Sequence, residues 1–275
     1  MIISTFNVRG LGGRVKKNKI RDLVRQSNIE FLAIQETKLV EVTPSLCFSI
    51  WGGEDCDWVF RASEGRSGGI LSIWRKFCAT LVSSFQGDGY VGVTLDWGVE
   101  KTCCIIINVY SKCDLSAKRI LWENLIGERQ NREGGVWCVL GDFNVVRRRD
   151  ERRGVNLEAL STQILEMFLF NSFLGDMELE DLNVLGRRFT WYHPNGRSMS
   201  MIDRMLVSEE WGNVWGDNAL WVLPRDVSDH CPSVLKNGGW SWEPTPFRFN
   251  NFLLQHHDFK RVVEGLGGIK MFRDG

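Results

Sequence analysis

Short apolar runs that stop abruptly at polar side chains are the feature of this sequence that most restricts its fold. Residues 139–146, VLGDFNVV, begin as a buried run and then deliver Asp142 and Asn144 in close succession. Residues 31–34, FLAI, are followed in the same way by Glu36. Runs of about four to eight apolar residues that end at turn-forming positions are typical of buried β-strands. The sequence therefore predicts a sheet whose strands carry polar groups at their ends.

Helical periodicity separates several of the predicted strands. Residues 16–26 and 157–173 place apolar side chains at helical spacing, which predicts amphipathic helices. A third helix is expected to begin at Ser116, a suitable N-cap, with Leu115 and Ile120 as a hydrophobic staple. The predicted strands are residues 1–6, 31–34, 69–74, 78–83, 90–97, 102–109, 136–140, 189–192, 201–207, 220–223 and 233–236.

This mixture of many strands and few helices, without a repeat of fixed period, predicts two packed sheets with helices outside them. The fold class is therefore an α/β or α+β sandwich. From Asn237 onward the chain is rich in Gly, Trp and Pro, so we place a domain boundary there. The sequence predicts one domain over residues 1–236 and a tail over residues 237–275, with a short helix at 249–263.

Composition excludes several classes of protein. The formal net charge is +0, so the chain is not a polycation, and any binding of nucleic acid must rest on local patches. The 8 cysteines are scattered without a CxxC pair, which argues against a zinc framework and indicates reduced thiols in an intracellular protein. The sequence shows neither a secretory signal pattern nor an apolar run of membrane-spanning length.

Polar side chains capable of acid–base chemistry or metal binding stand at or just beyond several apolar runs. Taken singly, each has a structural explanation, because Asp after Gly is usually a turn and Asn at a strand end usually satisfies backbone groups. Taken together, they are expected to converge in one cleft, since strand ends on one edge of a sandwich meet. Carboxylate and amide oxygens suit Mg²⁺, and a histidine beside a carboxylate is a tuned acid. These parts indicate metal-assisted hydrolysis of a phosphate ester. The residues are Asn7, Glu36, Asn108, Tyr110, Asp142, Asn144, Asp203, Asp229 and His230.

Seven motifs occur in an order that resembles the endonuclease/exonuclease/phosphatase superfamily, which includes DNase I and inositol polyphosphate phosphatases. They are FNVRG, IQET, SGGI, NVYS, GDFN, MIDR and SDH, and the resemblance spans residues 1–236. It implies a DNase I-like four-layer sandwich. More narrowly, GDFNVVRRRDERRG and RRFTWYHPNGRSMSMIDRMLVSEEW resemble the endonuclease domain of plant LINE-type (non-LTR) retrotransposon polyproteins. The tail WEPTPFRFNNFLLQHHDFKRVV resembles the linker that leads to a reverse transcriptase in such polyproteins.

The resemblance implies a metal site and a reaction. Glu36 is expected to be the main metal ligand, with Asn7 beside it, and Asp229 supports the metal or the attacking water. The expected cofactor is Mg²⁺, with Mn²⁺ as a substitute. The implied reaction is a nick in a DNA phosphodiester that leaves a 3′ hydroxyl, which primes reverse transcription in LINE elements.

The remaining site residues receive roles from the same resemblance. Asp142 aligns or deprotonates the attacking water, and Asn144 orients the water or the phosphate. Tyr110 contacts the phosphate or the leaving oxygen. His230 donates to a non-bridging phosphate oxygen, while Asp203 holds the histidine tautomer and raises its pKa.

The expected partner is DNA, bound by a monomeric nuclease domain, and a DNA substrate implies a nuclear location. Arg147, Arg148 and Arg149 would meet the DNA backbone, or else form a solvated charged loop. Trp191 would contact or stack on DNA near the target base, or else lie in the core, and Thr190 resembles a family position near the phosphate.

Three positions depart from the pattern of the resemblance. Arg9 stands where repair-type relatives carry an acidic residue near the metal, Met201 stands in place of a basic residue, and Lys112 replaces a proline after NVYS. Such changes suit a decaying copy of an element, so a non-catalytic remnant is one alternative to an active endonuclease. The other alternative is a phosphoesterase of the same superfamily that acts on small phosphoesters.

Overall fold

The computed structural model describes residues 1–65, 67–154 and 160–237, with only the backbone described at 160 and 161. Seven strands within these residues form a first mixed sheet. In order across the sheet they are β11 (Val184–Gly186), β15 (Asn218–Val222), β16 (Ser233–Asn237), β1 (Ile2–Asn7), β2 (Phe31–Gln35), β4 (Ser67–Trp74) and β3 (Asp57–Glu64).

A second mixed sheet has six strands in the described part of the chain. In order they are β10 (Leu179–Asp181), β14 (Asp203–Ser208), β8 (Val136–Asp142), β7 (Thr102–Tyr110), β6 (Tyr90–Trp97) and β5 (Ala79–Gly87). A small third sheet joins β12 (Trp191–Tyr192), β13 (Met199–Ser200) and β9 (Arg152–Arg153).

Among the described residues, four helices cover the outer faces of the two large sheets, and a fifth contributes Trp211 to the core between the sheets. Their bounds are α1 (Arg14–Gln26), α2 (Pro44–Trp51), α3 (Leu115–Gln130), α4 (Leu160–Asp176) and α5 (Glu209–Trp215), with a 3₁₀ turn at Arg149–Glu151. Helices α1 and α2 pack on the first sheet, and α3 and α4 pack on the second. The predicted sandwich of two packed sheets flanked by helices is confirmed. Among the described residues, no helix has the length and apolar character needed to cross a membrane.

Strand β7 shows why its sequence, TCCIIINVY, is apolar almost throughout. Cys104 and Ile106 face the first sheet, whereas Ile105 and Ile107 face α3 and α4. Successive side chains of a strand point to opposite faces, so a strand that is covered on both sides reads as a continuous apolar run. The sequence pattern of the central strands follows from this double burial.

The first sheet has two parallel pairs among its described strands, β1 with β2 and β11 with β15, and the second has one, β7 with β8. In each sheet one parallel pair is connected directly by a single helix. In the first sheet the unit is β1–α1–β2, and in the second it is β7–α3–β8. Parallel pairing brings the carboxyl ends of both strands to the same edge of the sheet. The polar residues at these strand ends therefore meet at one edge of the sandwich.

Helix α3 begins two residues earlier than the sequence predicts. Its N-cap is Asp114, whose Oδ1 accepts a hydrogen bond from the Ala117 amide at 3.0 Å, so Ser116 is not the cap. Ile120 is 55% exposed and cannot form the predicted staple with Leu115. An aspartate two residues upstream competes with the serine for the same backbone donors.

The boundaries of other elements also differ from the predicted ones. The predicted strand 189–192 contains only β12 at its end, and the predicted strand 201–207 begins at Asp203. The predicted helix 249–263 and the tail, apart from Asn237, lie outside the described residues, so the domain boundary stays a prediction.

Candidate active site

A cleft of about 750 Å³ opens at the edge where the strand ends meet. It brings together side chains from both sheets and from the loops that follow them. Of the predicted site residues, those that line the cleft are Asn7, Glu36, Tyr110, Asp142, Asn144, Trp191 and His230. Asp203 and Asp229 stand behind them in contact with the lining residues.

Asp142 is the last residue of β8 and is almost fully buried. Its Oδ2 accepts a hydrogen bond from Nδ2 of Asn7 at 2.9 Å, and its Oδ1 accepts one from the Asn144 amide at 3.0 Å. Burial raises the pKa of Asp142 above its ordinary value, and the nearby charge of His230 offsets only part of this effect. A carboxylate in this position is suited to accept a proton near neutral pH.

Asp203 and Asp142 lie on opposite sides of the His230 ring, and Asp203 holds the ring by a hydrogen bond. The Nδ1 atom lies 2.9 Å from Oδ2 and 3.0 Å from Oδ1 of Asp203, while Nε2 lies 3.9 Å from Oδ2 of Asp142. Burial alone would lower the pKa of His230, but the charge and hydrogen bond of Asp203 raise it to about 9. The imidazole is therefore a cation at neutral pH, with Nε2 directed toward the cleft side.

Thr190 supports Asp203 from inside the protein. It is fully buried, and its Oγ1 accepts hydrogen bonds of 3.0 Å from the amides of Ile202 and Asp203. The Oγ1 atom of Thr190 is therefore already hydrogen-bonded to the backbone that carries Asp203. The predicted contact between Thr190 and DNA stays a prediction, and it would require this arrangement to open.

Asn144 adopts a left-handed backbone conformation with a φ of 52°, which asparagine tolerates better than most residues. Its Nδ2 donates to the carbonyl of Ser111 at 2.6 Å, and its Oδ1 accepts from Sγ of Cys113 at 3.6 Å. These contacts fix the carboxamide beside Asp142. Burial, followed by the charges of neighbouring acids, raises the pKa of Tyr110, so the phenol stays neutral in the cleft.

The predicted metal ligands lie on the first-sheet side of the cleft. Glu36 is nearly buried, and the half-buried Asp229 accepts a hydrogen bond from Nε1 of Trp191 at 3.0 Å. The guanidinium of Arg9 stands between these carboxylates: its Nε lies 3.8 Å from Oε2 of Glu36, and its Nη1 contacts Oδ2 of Asp229. Together with the Oδ1 atom of Asn7, these carboxylates form a set of oxygen donors that suits Mg²⁺. The pair already holds one cation, so the residues present fit a divalent ion.

A second possible metal group consists of Asp142, Asp203 and His230, whose ligand atoms lie within 4.8 Å of one another. A metal-bound histidine must be neutral, whereas Asp203 keeps His230 protonated. In the metal-free protein this group is therefore a cluster in which an imidazolium lies between two carboxylates.

The three predicted DNA-binding arginines have different environments. Arg147 is partly buried, with Nε 3.0 Å from Oδ1 of Asn171 and Nη1 3.3 Å from Oδ2 of Asp181. Arg148 is exposed and pairs with acidic neighbours at distances of 3.5 Å and 3.6 Å. Arg149 is exposed and makes no ion pair within the part of the chain that the structure describes. Arg149 is thus the arginine most available to a phosphate.

A buried polar network lies beneath the cleft. Asn108 was expected to lie in the cleft itself, but it is fully buried and does not line the cleft, and its partners were not predicted. Asn108 of the second sheet accepts a 2.6 Å hydrogen bond from Nε2 of Gln35 and donates to Oγ of Ser72 at 3.1 Å. Gln35 also donates to Oγ1 of Thr5 at 2.9 Å. The network ties the two sheets together just behind Glu36. The signal in the sequence was a polar residue within each of two otherwise apolar strands, Gln35 in β2 and Asn108 in β7.

Lys118 also lines the cleft, although it was not predicted from the sequence as a site residue. It is almost fully buried, and its Nζ lies 3.1 Å from Oε1 of Glu166 across the contact between α3 and α4. Its helical spacing from Leu121, Trp122 and Leu125 places it on the apolar face of α3. A lysine on that face was the signal that could have identified it.

Two of the three departures in sequence have simple structural outcomes. Lys112 pairs with Asp88 at 2.7 Å on the exposed surface, and Met201 is buried beside the turn that leads into β14. Neither change removes a group from the cleft. Arg9 is different, because it lies between the predicted metal ligands.

Comparisons with known proteins agree with this architecture. A family model described as "Endonuclease/Exonuclease/phosphatase family" matches residues 4–230. No curated protein sequence matches the chain. Among solved structures, the 3′ phosphatase NExo from Neisseria bound to a product DNA hairpin is 20% identical, with a TM-score of 0.67, and the match covers 87% of this chain and 100% of that one.

Two further structures show the same fold. The AP endonuclease LMAP from Leishmania major is 17% identical, with a TM-score of 0.66, over 85% of this chain and 86% of that one. The endonuclease domain of TRAS1, a telomere-specific non-LTR retrotransposon, is 12% identical, with a TM-score of 0.62, over 86% of this chain and 97% of that one.

Proposed function

Because the chain belongs to the endonuclease/exonuclease/phosphatase family, we propose that it is a divalent-metal-dependent DNA endonuclease that leaves a 3′ hydroxyl. The observation that carries this proposal is the imidazole of His230, which Asp203 holds as a cation within 3.9 Å of the buried carboxylate of Asp142. A fixed cation beside a carboxylate with a raised pKa supplies a phosphate-binding group and a base in one cleft.

In this mechanism Asp142 receives the proton of the attacking water. Its position at the end of a rigid strand, with Asn7 and the Asn144 amide on its two oxygens, orients the free lone pairs toward the cleft. The carboxamide of Asn144, fixed by Ser111, aligns the water or a phosphate oxygen.

His230 donates from Nε2 to a non-bridging phosphate oxygen, where negative charge increases in the transition state. Asp203 is a positioning residue, since it acts through Nδ1 of the histidine. Tyr110 keeps its proton, because burial raises its pKa, and so it donates a hydrogen bond to the phosphate or the leaving oxygen. A divalent ion held by Glu36, Asn7 and Asp229 would supply charge neutralisation at the scissile phosphate.

A DNA substrate is supported by the fold and by the shape of the cleft. The related fold of NExo carries a DNA hairpin in its own structure. The cleft here, of about 750 Å³, takes side chains from both sheets, and Arg9 and Arg152 are among the residues that line it.

The proposed context is a LINE-type retrotransposon of plant origin. The stretches GDFNVVRRRDERRG and RRFTWYHPNGRSMSMIDRMLVSEEW and the fold shared with the TRAS1 endonuclease domain support this context. The nick would then provide the 3′ hydroxyl from which reverse transcription starts, in the nucleus.

Nicking of supercoiled plasmid with Mg²⁺, with and without EDTA, tests the proposal. We expect metal-dependent open-circle product that is lost in Asp142→Ala and His230→Ala, because each removes a group that acts on the reacting atoms. Asp217→Ala is the matched control, since this exposed aspartate precedes β15 at the opposite edge of the first sheet. End-labelling the product distinguishes a 3′ hydroxyl from a 3′ phosphate.

Three results would contradict the proposal. Nicking that survives both substitutions would mean that the activity lies elsewhere. A folded protein that releases phosphate from small esters but leaves plasmid intact would be a phosphoesterase, and one that does neither would be a catalytically inactive remnant.

A further inference from the structure

The guanidinium of Arg9 is the one cation, among the residues that the structure describes, that contacts both Glu36 and Asp229. Its Nη1 pairs with Oδ2 of Asp229 and its Nε lies 3.8 Å from Oε2 of Glu36. Lys38 also approaches Glu36, at 3.1 Å from Oε1, but contacts no second carboxylate. Arg9 is therefore placed between the two acidic groups, whereas Lys38 lies to one side.

We propose that Arg9 is an internal counter-cation that occupies the divalent-metal position and must be displaced when the ion binds. The inference rests on the proposed function, in which Glu36 and Asp229 hold the metal. Two carboxylates that face one another without a cation repel, and Arg9 removes that repulsion in the metal-free protein. The same contacts compete with the ion, so Arg9 lowers the affinity of the site for metal.

The backbone around Arg9 is fixed, so displacement involves the side chain alone. Arg9 has a φ of 46°, and its amide donates to Oδ1 of Asn7 at 3.0 Å. Nζ of Lys16 donates to the carbonyls of Val8 and Arg9 at 2.5 Å and 3.0 Å. The amide of Gly10 donates to the carbonyl of Glu36 at 2.7 Å. These bonds keep the Arg9 segment beside Glu36 whether or not the guanidinium is paired.

The side chain itself can leave at low cost. It is 49% exposed, so moving the guanidinium into solvent uncovers little apolar surface. Once the ion has replaced it on the carboxylates, the guanidinium remains within the cleft that it lines. The long arginine stem then allows it to pair with a phosphate of the substrate.

The contact with Arg9 determines whether Asp229 is available to bind a metal ion. Its Oδ2 already accepts a hydrogen bond from Trp191, and its Oδ1 has Oγ of Ser228 at 3.4 Å as a partner. Arg9 and Trp191 thus share Oδ2 of Asp229, and the contact with Arg9 must break before that oxygen can bind a metal ion.

Mn²⁺ binding to metal-stripped protein, followed by the electron paramagnetic resonance signal of free Mn²⁺, tests the inference without any measurement of activity. We expect Arg9→Ala to bind Mn²⁺ roughly tenfold more tightly than the unmodified protein, since it removes a competing cation from both ligands. Lys38→Ala is the matched control for charge alone and should tighten binding only about two- to threefold. The double variant Arg9→Ala/Asp229→Asn should lose the gain, because the freed ligand is then absent.

Thermal unfolding gives a second readout. Without metal, Arg9→Ala should melt at a lower temperature than the unmodified protein, and saturating Mn²⁺ should raise its melting temperature by more than it raises that of the unmodified protein. Equal Mn²⁺ affinity in Arg9→Ala and the unmodified protein, or equal gains in Arg9→Ala and Lys38→Ala, would overturn the inference. A protein that shows the expected binding pattern but does not nick DNA would refute the proposed function and leave the role of Arg9 intact.

Discussion

Asp142 and Asp203 stand directly opposite each other in the adjacent antiparallel strands β8 and β14, and the ring of His230 lies against both. Asp203 meets Nδ1 at 2.9 Å, and Asp142 faces Nε2 at 3.9 Å. The sheet register thus sets the spacing of the two carboxylates, and the histidine links them through its two nitrogens. The protonation of His230 is consequently coupled to the stability of the fold.

We expect the free energy of unfolding to fall as pH rises from 7.5 to 9.5. The folded pKa of His230 is raised to about 9, above an ordinary value of 6.5, so its contribution is complete below that ordinary value and is lost as pH passes through 9. The loss should be about 2 kcal/mol over this range. The raised pKa of Asp142 acts in the same direction, but mostly at lower pH. Urea unfolding in EDTA at the two pH values measures the change.

His230→Gln should remove most of this pH dependence, whereas His193→Gln should leave it unchanged, because His193 is exposed. Asp203→Asn should also flatten the curve, since it removes the carboxylate that raises the pKa of the histidine. A slope that is the same in His230→Gln and the unmodified protein would assign the coupling to another group.

Gly141 should not tolerate a side chain. Its φ is 138°, and a Cβ atom there would overlap the carbonyl oxygen of Val109 in the neighbouring strand. We expect Gly141→Ala to cost about 3 kcal/mol or more and to displace Asp142 from Asn7. Gly127→Ala, in α3 with open space around the new methyl group, should instead stabilise by about 0.5–1 kcal/mol. Denaturant unfolding of both variants provides the comparison, and similar effects would show that the close approach at Gly141 relaxes easily.

DNA binding should distinguish Arg149 from Arg147. Arg149→Ala is expected to weaken binding to any DNA sequence and to reduce the slope of log K against log salt by about 1, because one phosphate contact is lost. Arg147→Ala should mainly lower stability, since Arg147 is tied to Asn171 and Asp181. Fluorescence anisotropy with a labelled duplex at several salt concentrations measures both slopes. An unchanged slope for Arg149→Ala would favour the solvated loop.

Asn108 should be one of the most sensitive polar positions. Replacing it by Ala leaves Gln35 and Ser72 without their buried partner, which costs about 3 kcal/mol. Asn131→Ala is the control, because Asn131 is exposed at the end of α3. Thermal or urea unfolding of the pair would show whether the link between the sheets contributes as expected.

The sequence was most informative where one physical rule governed a whole segment. Strands buried on both faces had to be apolar throughout, so their ends could be located from Asn7, Glu36 and Asp142 alone. Parallel pairing then brought these ends to one edge. Those features sufficed to predict the sandwich and the place of the cleft.

Elements with a weak or ambiguous sequence pattern were not predicted. Strand β3, DWVFRASE, lies at the edge of its sheet and is mostly half-buried, so it shows no clean alternation. Helix α2 is short and depends on the Thr43 cap and Pro44 at its start. The partners of Arg9 and Lys118 could not be read from the sequence, because each pairs with acids that are remote along the chain.

Strand β16 lies between β1 and β15, so the first and the last described strands of the chain are neighbours. During synthesis, β1 cannot pair with β16 until residues 233–237 have emerged from the ribosome. His230 and Asp229 reach their places only with this late strand. A chain cut off before residue 229 would therefore lack both of these side chains, so the cleft is built from residues near the two ends of the described domain.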